Sequence, residues 1–270
     1  MWWMAMALGA VVGATLALTG AGGGILAVPL LVFSLHLGLA ESAPIGLLAV
    51  GLAAGLGAAL GLREGRVRYR AAMVIGGAGM LLAPLGVWLA QRVPNGPLTL
   101  VFSLVLAWSA WGMFQRARTT GGRAAVRAEA PPCVRNPCTG RFIWTRPCAM
   151  ALASTGMASG MLSGLLGVGG GFVIVPALTR YSDLAADSIV STSLAVIALV
   201  SISGVASATL HGSMPWGIAA PFAVGAMAAL LAGRRLAGRF SGPTLQKTFA
   251  ALSAMVALML LVRGVAALMV

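Results

Sequence analysis

Residues 20–31 read GAGGGILAVPLL, and residues 167–178 read GVGGGFVIVPAL. Gly20, Gly22, Gly23, Gly24 and Pro29 return at a constant offset as Gly167, Gly169, Gly170, Gly171 and Pro176. The same offset pairs Gly65 with Gly212, Tyr69 with Trp216, Gly86 with Gly233, Arg92 with Arg239 and Phe102 with Phe249. A one-residue gap is needed between residues 31 and 50, and it closes before 65. The chain is therefore two homologous halves, 1–115 and 147–270, joined by an Arg-rich linker, 116–146.

The flanks of both motifs are membrane sequence. Hydrophobic residues make up 59% of the 270 residues and charged residues only 9%. A soluble domain carries about 25% charged residues. Runs free of Asp, Glu, Lys and Arg cover 1–40, 42–62, 71–91, 93–115, 147–179, 188–233 and 248–262, and most reach the ~20 apolar residues of a membrane helix. This excludes a soluble enzyme, a nucleic-acid binder and a disordered chain, and points to an all-α polytopic membrane protein. The net charge of +13 fits, because nearly all the basic residues are arginines between apolar runs, the positive-inside signature. Met1-Trp2-Trp3-Met4 shows neither the basic region nor the cleavage site of a signal peptide.

Glycine is costly inside a helix, and four within residues 20–24 should break one. Each half is expected to open with a glycine-broken helical hairpin whose tip reaches the membrane interior, with Pro29 or Pro176 as a further structural helix break. The arms, such as Met4–Leu18 and Ile25–Leu39, are each short of the ~20 residues of a full span. Irregular backbone survives at that depth only where protein buries it or water lines it. Three spanning helices follow: 43–62, 71–91 and 97–115 in the first half, 188–209, 216–236 and 243–262 in the second.

The basic residues test the topology. Arg63, Arg66, Arg68 and Arg70 follow the first spanning helix of half one, while the matching loop from His211 to Pro215 has none. One loop later the bias reverses: Arg92 stands alone where half two has Arg234, Arg235, Arg239 and Lys247. If each half crosses an odd number of times, every basic residue except Arg92 and Arg263 gathers on one face. An even number scatters them over both. The positive-inside rule selects the odd number. The halves are then inverted repeats in a cell inner membrane, with the linker cytoplasmic and both termini outside the cytoplasm.

Inverted repeats with broken helices build many secondary transporters, with the site near the midplane between repeats. A broken helix offers backbone N–H groups and a positive dipole end where no water competes. Glycine permits close approach and the left-handed backbone of an anion-binding nest. Gly20, Gly22, Gly23, Gly24, Gly167, Gly169, Gly170 and Gly171 are accordingly the candidate substrate-binding groups, arranged about one small anion. The competing reading is helix packing, which is the role expected of Gly51/Gly55 and Gly57/Gly61. A nucleotide loop fails for want of a strand-turn-helix context. No carboxylate lies mid-span to cage a metal, and no Lys or Arg does either. The anion would be held by N–H and hydroxyl dipoles, without a cofactor.

The doubled G-x-G-G-G-x-x-x-x-P, with the helix that carries Ser191, Thr192, Ser193, Leu194 and Ala195, resembles the TauE/SafE family of sulfite and organosulfonate exporters over nearly the whole chain. The resemblance implies export of small oxyanions or sulfonates from the cytoplasm, without ATP hydrolysis by the protein itself. Carried over by position, Gly20 to Gly24 with Pro29, and Gly167 to Gly171 with Pro176, are the paired motifs. Half one departs where Gly46 and Leu47 stand opposite Thr192 and Ser193. That loads the hydroxyl contribution on half two and adds Thr192 and Ser193 to the substrate-binding candidates.

Other residues weigh less. Ser201, Ser203 and Ser207 are candidates to line a path, although helical Ser often bonds back to its own turn. Glu41 and Asp187 fall at helix starts, where a carboxylate favours the dipole. His36 and His211 lack an acidic neighbour in sequence. Trp2, Trp3 and Trp216 read as interfacial anchors, and the methionines as packing. Cys133, Cys138 and Cys148 give a weak zinc signal without a nearby His, and an odd count argues against a disulfide framework. Three thiols without catalytic duty, and no metal, are expected. The leading function is secondary export of a small anion. The alternative is a non-transporting membrane scaffold or assembly protein in which the glycines only pack helices. No intramembrane Ser-His, Asp-Asp or His-Glu constellation supports an enzyme. The expected partners are the anion and the lipid bilayer, not nucleic acid, and homo-oligomerisation is left open.

Overall fold

The computed structural model describes residues 2–20, 23–119, 133, 144–210, 214–240, 251 and 254–262. Gly22, Cys138, His211, Lys247 and most of the linker lie outside these. The named helices are α1 (Trp2–Thr19), α2 (Gly23–Leu35), α3 (Leu39–Arg63), α4 (Tyr69–Arg92), α5 (Asn95–Thr119), α6 (Arg146–Leu166), α7 (Gly171–Tyr181), α8 (Ala186–Leu210) and α9 (Trp216–Phe240). Residues 254–262 are helical as well. Six helices are long and apolar enough to cross a membrane: α1, α3, α4, α6, α8 and the Trp216–Arg235 part of α9.

The hairpin arms differ from the short pair expected. At 1.5 Å per residue, the 18 residues of α1 and the 21 of α6 extend about 27 and 32 Å. These first arms are of spanning length. The second arms, α2 with 13 residues and α7 with 11, are not. The apolar run of α1 extends back to Trp2. The start of α6 is set by Thr145, whose hydroxyl accepts from the Cys148 N–H, with a proline in the first turn. The second correction concerns the prolines. Pro29 and Pro176 lie inside α2 and α7, and the break is made by the glycines alone. A proline removes one helical N–H, which leaves the Ile25 and Phe172 carbonyls without their usual donor while the helix continues.

Helices in lipid associate through close contact of small residues, because lipid removes most of the hydrophobic drive. Gly9 lies on the Phe222 carbonyl and Gly13 on that of Ala226, so α1 and α9 run parallel. Gly156 lies on the Ile75 carbonyl, Gly160 on Gly79 and Gly164 on Ala83, so α4 and α6 also run parallel. These two pairs are equivalents under the repeat: the opening helix of each half packs on the other half. Between them, Gly51 meets Ser201, Gly57 meets Leu194 and Gly61 meets Ser191. The residue numbers climb along α3 as they fall along α8, so this equivalent pair is antiparallel. Gly51, Gly57 and Gly61 have the packing role expected of them.

Glu41 and Asp187 occupy the first turns of α3 and α8. Trp2, Trp3, Trp88, Trp108, Trp111 and Trp216 are exposed, as interfacial or lipid-facing side chains are. The cysteines overturn an expectation. Cys133 and Cys148 form a disulfide with Cα atoms 5.0 Å apart. Cys133 donates its N–H to the Tyr181 carbonyl at 3.0 Å and bridges Ser182, which sets it against the first turn of α6. That pairing is made through space, so an odd number of cysteines simply leaves Cys138 over.

Candidate functional site

Between α6 and α7 the backbone is left-handed at Gly167 (φ 71), Gly169 (φ 76) and Gly170 (φ 68). Gly167 ends α6 by donating its N–H to the Ser163 carbonyl at 2.8 Å, a left-handed C-terminal turn that needs glycine. Gly170 starts α7. Its carbonyl accepts from the Val173 and Ile174 N–H groups and from the Ser159 hydroxyl at 3.2 Å. Among the described residues, no acceptor is found for the N–H groups of Val168, Gly169, Gly170, Gly171 and Phe172. All five residues are buried. Buried N–H groups without acceptors are rare, and these lie at the positive end of the α7 dipole.

The two breaks meet. A side chain at Gly24, in the first turn of α2, would run into the Val168 carbonyl. Gly167 rests on the backbone of Ala43, and its carbonyl lies 3.1 Å from where Gly46 would place a Cβ. A Cβ at Gly169 would lie 3.0 Å from both Val50 and Ile197, residues near the middle of α3 and α8. The second break therefore enters the centre of the α3–α8 pair. The first break docks on half two: Gly20, itself left-handed (φ 71), faces Val190, and its carbonyl is 3.5 Å from the Ser193 hydroxyl. Gly23 packs instead on Val12 and Leu16 of α1. Gly24, Gly167, Gly169 and Gly170 are thus brought together, while Gly20 and Gly23 line the neighbouring packing.

The hydroxyls divide into engaged and free. Thr192 is fully buried and accepts the Arg68 N–H at 3.1 Å, tying the α3–α4 loop to α8. Ser193 donates to the Val190 carbonyl at 2.8 Å, and Ser203 to that of Val200 at 3.1 Å. By contrast, the hydroxyls of Ser42, Ser163 and Ser201 are buried with no hydrogen-bond partner among the described residues, as is the Arg68 Nε. Ser201 stands in a run of serines noticed in the sequence. Ser42 and Ser163 are isolated in apolar stretches, and nothing local distinguishes them. On the Arg-rich face, Arg234 donates to the Gly57 carbonyl at 2.7 Å and reaches Glu64 at 3.4 Å, where Arg66 also pairs at 3.3 Å. A small apolar cleft lined by Ala43, Pro44, Leu47, Val87, Gly164 and Gly204 lies where α3 begins and α8 ends.

Spanning helices, two helix breaks that meet at the centre of the bundle, and polar groups buried around them define a polytopic membrane transporter. The family model for the sulfite exporter TauE/SafE matches residues 5–260. The chain belongs to the TauE/SafE family. It is 32% identical over 235 residues to a probable membrane transporter protein of Xylella fastidiosa (strain 9a5c), covering 86% of this chain and 84% of that one. A protein of the same description from the Temecula1 strain is 31% identical over 238 residues, with the same coverage. No solved structure matches the chain.

Proposed function

We propose that the protein is a secondary transporter that exports small anions, sulfite or an organosulfonate, across the cytoplasmic membrane. The substrate class follows the family name and the N–H donors that the second break presents. The single observation that carries the reading is that break: five successive buried N–H groups without acceptors among the described residues, next to Val50 and Ile197 at mid-helix. Hydrogen bonds to a charged group contribute about 1.5–3 kcal/mol each. A few such donors, with no fixed cation, hold an oxyanion without trapping it. Thr192 and Ser193 act here as structural hydroxyls that hold the first break and the α3–α4 loop.

The halves 1–115 and 147–270 act as inverted repeats about linker 116–146. The antiparallel run of α3 and α8 supports this, since an axis that exchanges antiparallel helices lies perpendicular to them, in the membrane plane. Each break docks on the other half, so rocking one half against the other alters access to the junction from each face in turn. The Arg-rich ends of α3 and α9 face the cytoplasm, with both termini on the opposite side.

Anion-screened flux in proteoliposomes tests the proposal. Downhill movement of sulfite or an alkanesulfonate, absent from protein-free liposomes, is expected. Correctly folded protein that moves no anion contradicts it and leaves the scaffold reading, in which the contacts of Gly24 and Gly46 serve only to pack helices.

A further inference from the structure

We propose that the groove between α3 and α4, floored by α8, binds an anionic phospholipid whose phosphate is held by Arg68. The site stands apart from the helix breaks, and the proposal is independent of the anion-transport reading.

The covering of α8 has two gaps. α3 packs on it at Ser191, Leu194 and Ser201, and α4 at Leu199 and Val200. One gap, through Val190 and Ile197, is filled by the two breaks. At about 3.6 residues per turn, the other gap runs through Ala195 and Ile202. It is open to the bilayer, since Ile202 is 61% exposed. Its walls are low. A Cβ at Gly55 of α3 would meet nothing nearer than Ala198, at 3.9 Å, and one at Gly77 of α4 would meet nothing within 4 Å. Met73, four residues before Gly77 and on the same face, is exposed. The groove is apolar and wide enough between its glycines for an acyl chain to lie against α8.

Arg68 stands at its polar end. Its N–H donates to the Thr192 hydroxyl at 3.1 Å, and Thr192 is three residues before Ala195, on the same side of α8. The Arg68 Nε is buried without a partner among the described residues, and no carboxylate among them pairs with its guanidinium. The neighbouring charges are otherwise engaged or solvated. Glu64 takes Arg66 and Arg234, Arg70 lies over the Tyr69 ring, and Arg63 and Arg235 are exposed. A buried charged donor without an acceptor is a cost to the lipid-free protein.

The chemistry selects the occupant. A guanidinium offers paired N–H groups to two oxygens of a phosphate. Arginines outnumber the single carboxylate here, which repels an ammonium headgroup and favours an uncharged one on an anionic phosphodiester. Basic clusters at the ends of membrane helices attract anionic lipid in this way. A free anion would satisfy Arg68 but leave the groove bare, whereas a phospholipid satisfies both.

The test uses the purified full chain, delipidated in a non-ionic detergent. It is titrated with dioleoylphosphatidylglycerol, with dioleoylphosphatidylcholine and with inorganic phosphate, and the thermal midpoint reports binding by linkage. A saturable rise is expected with phosphatidylglycerol alone, and native mass spectrometry should show one such lipid retained per chain. Arg68→Gln should weaken the apparent affinity by about thirtyfold, the loss of hydrogen bonds to a charged acceptor. Arg68→Lys keeps the charge without the planar fork and should fall between. Arg63→Gln, an exposed charge, should cost no more than about fivefold. Equal responses to the two lipids overturn the proposal, as does a rise with inorganic phosphate matching that with lipid, which would mark a free-anion site. Equal losses in the Arg63 and Arg68 variants would mean diffuse surface charge and also overturn it. So would an Arg68→Lys or Arg68→Gln protein that retains the lipid as wild type does.

Discussion

Replacing Gly170 with alanine combines two costs that two other glycines separate. Gly170 is left-handed (φ 68), and a Cβ there would strike the Ser159 hydroxyl and lie 2.7 Å from its carbonyl oxygen. Left-handed backbone costs an alanine about 1–2 kcal/mol. The displaced hydroxyl gives up its bond to the Gly170 carbonyl, worth about 1 kcal/mol, and the backbone shift adds about 1–3 kcal/mol of overpacking. The expected loss is about 3–6 kcal/mol. Gly65 is left-handed too (φ 67), but nothing lies within 4 Å of its added Cβ, so Gly65→Ala should cost the strain alone, about 1–2 kcal/mol. Gly77, within α4, has open space and ordinary helical backbone. Gly77→Ala should stabilise by up to about 1 kcal/mol through helix propensity. Unfolding in mixed micelles, followed by helicity, gives all three values. If Gly170→Ala costs no more than Gly65→Ala, the contact between α6 and the break is absent and the site must be drawn elsewhere.

Further outcomes follow from single contacts. Arg234→Met removes the 2.7 Å bond to the Gly57 carbonyl and should cost about 1.5 kcal/mol. Glu64→Gln, at a half-exposed ion pair, should cost under about 1 kcal/mol; the reverse order in micelle unfolding would mean that Arg234 is anchored by the carboxylate. Thr192→Val strips the acceptor from the Arg68 N–H and should lower stability by about 0.5–1.5 kcal/mol, equally with and without anion. A loss confined to the anion-bound protein would return Thr192 to the site. Cys133 and Cys148 are bonded in the structure, but disulfides are rare in reducing compartments, so the proposed cytoplasmic linker should keep both as thiols in the cell. Maleimide-polyethylene glycol added to acid-quenched, denatured cells should then modify Cys133, Cys138 and Cys148 together. Modification of Cys138 alone would place the linker on the oxidising face, against the arginine bias.

What could be read in advance was what local chemistry dictates. Four glycines in residues 20–24, and four in 167–171, announced two breaks, and charge-free runs located α3, α4, α8 and α9; α5, from the 97–115 run expected to span, is not among the six helices long and apolar enough to do so. The start of α3 was set too late, at 43 instead of Leu39, because Glu41 interrupts its run; yet a carboxylate belongs in a first turn. The prolines misled for a related reason: a missing N–H weakens a helix without ending it, as Pro29 and Pro176 show. Other features were not local. The disulfide needed Cys133 to be carried to Ser182 and α6. The meeting of Gly24 with Val168 needed the two halves to interlock. Ser42 and Ser163 became conspicuous only through burial without partners, a property of tertiary packing that no spacing encodes.

The central claim is that the anion meets the protein where the two breaks touch. Val168 sits at that contact, 1% exposed, with its carbonyl on Gly24. A Val168→Cys thiol, in a background with Cys133, Cys138 and Cys148 all replaced by serine, can be challenged with sulfonatoethyl methanethiosulfonate in right-side-out and inside-out vesicles. The account predicts modification from both faces, slowed in each case by ethanesulfonate as a competitor. A thiol that neither face reaches, or whose rate of modification ignores the competing sulfonate, contradicts it.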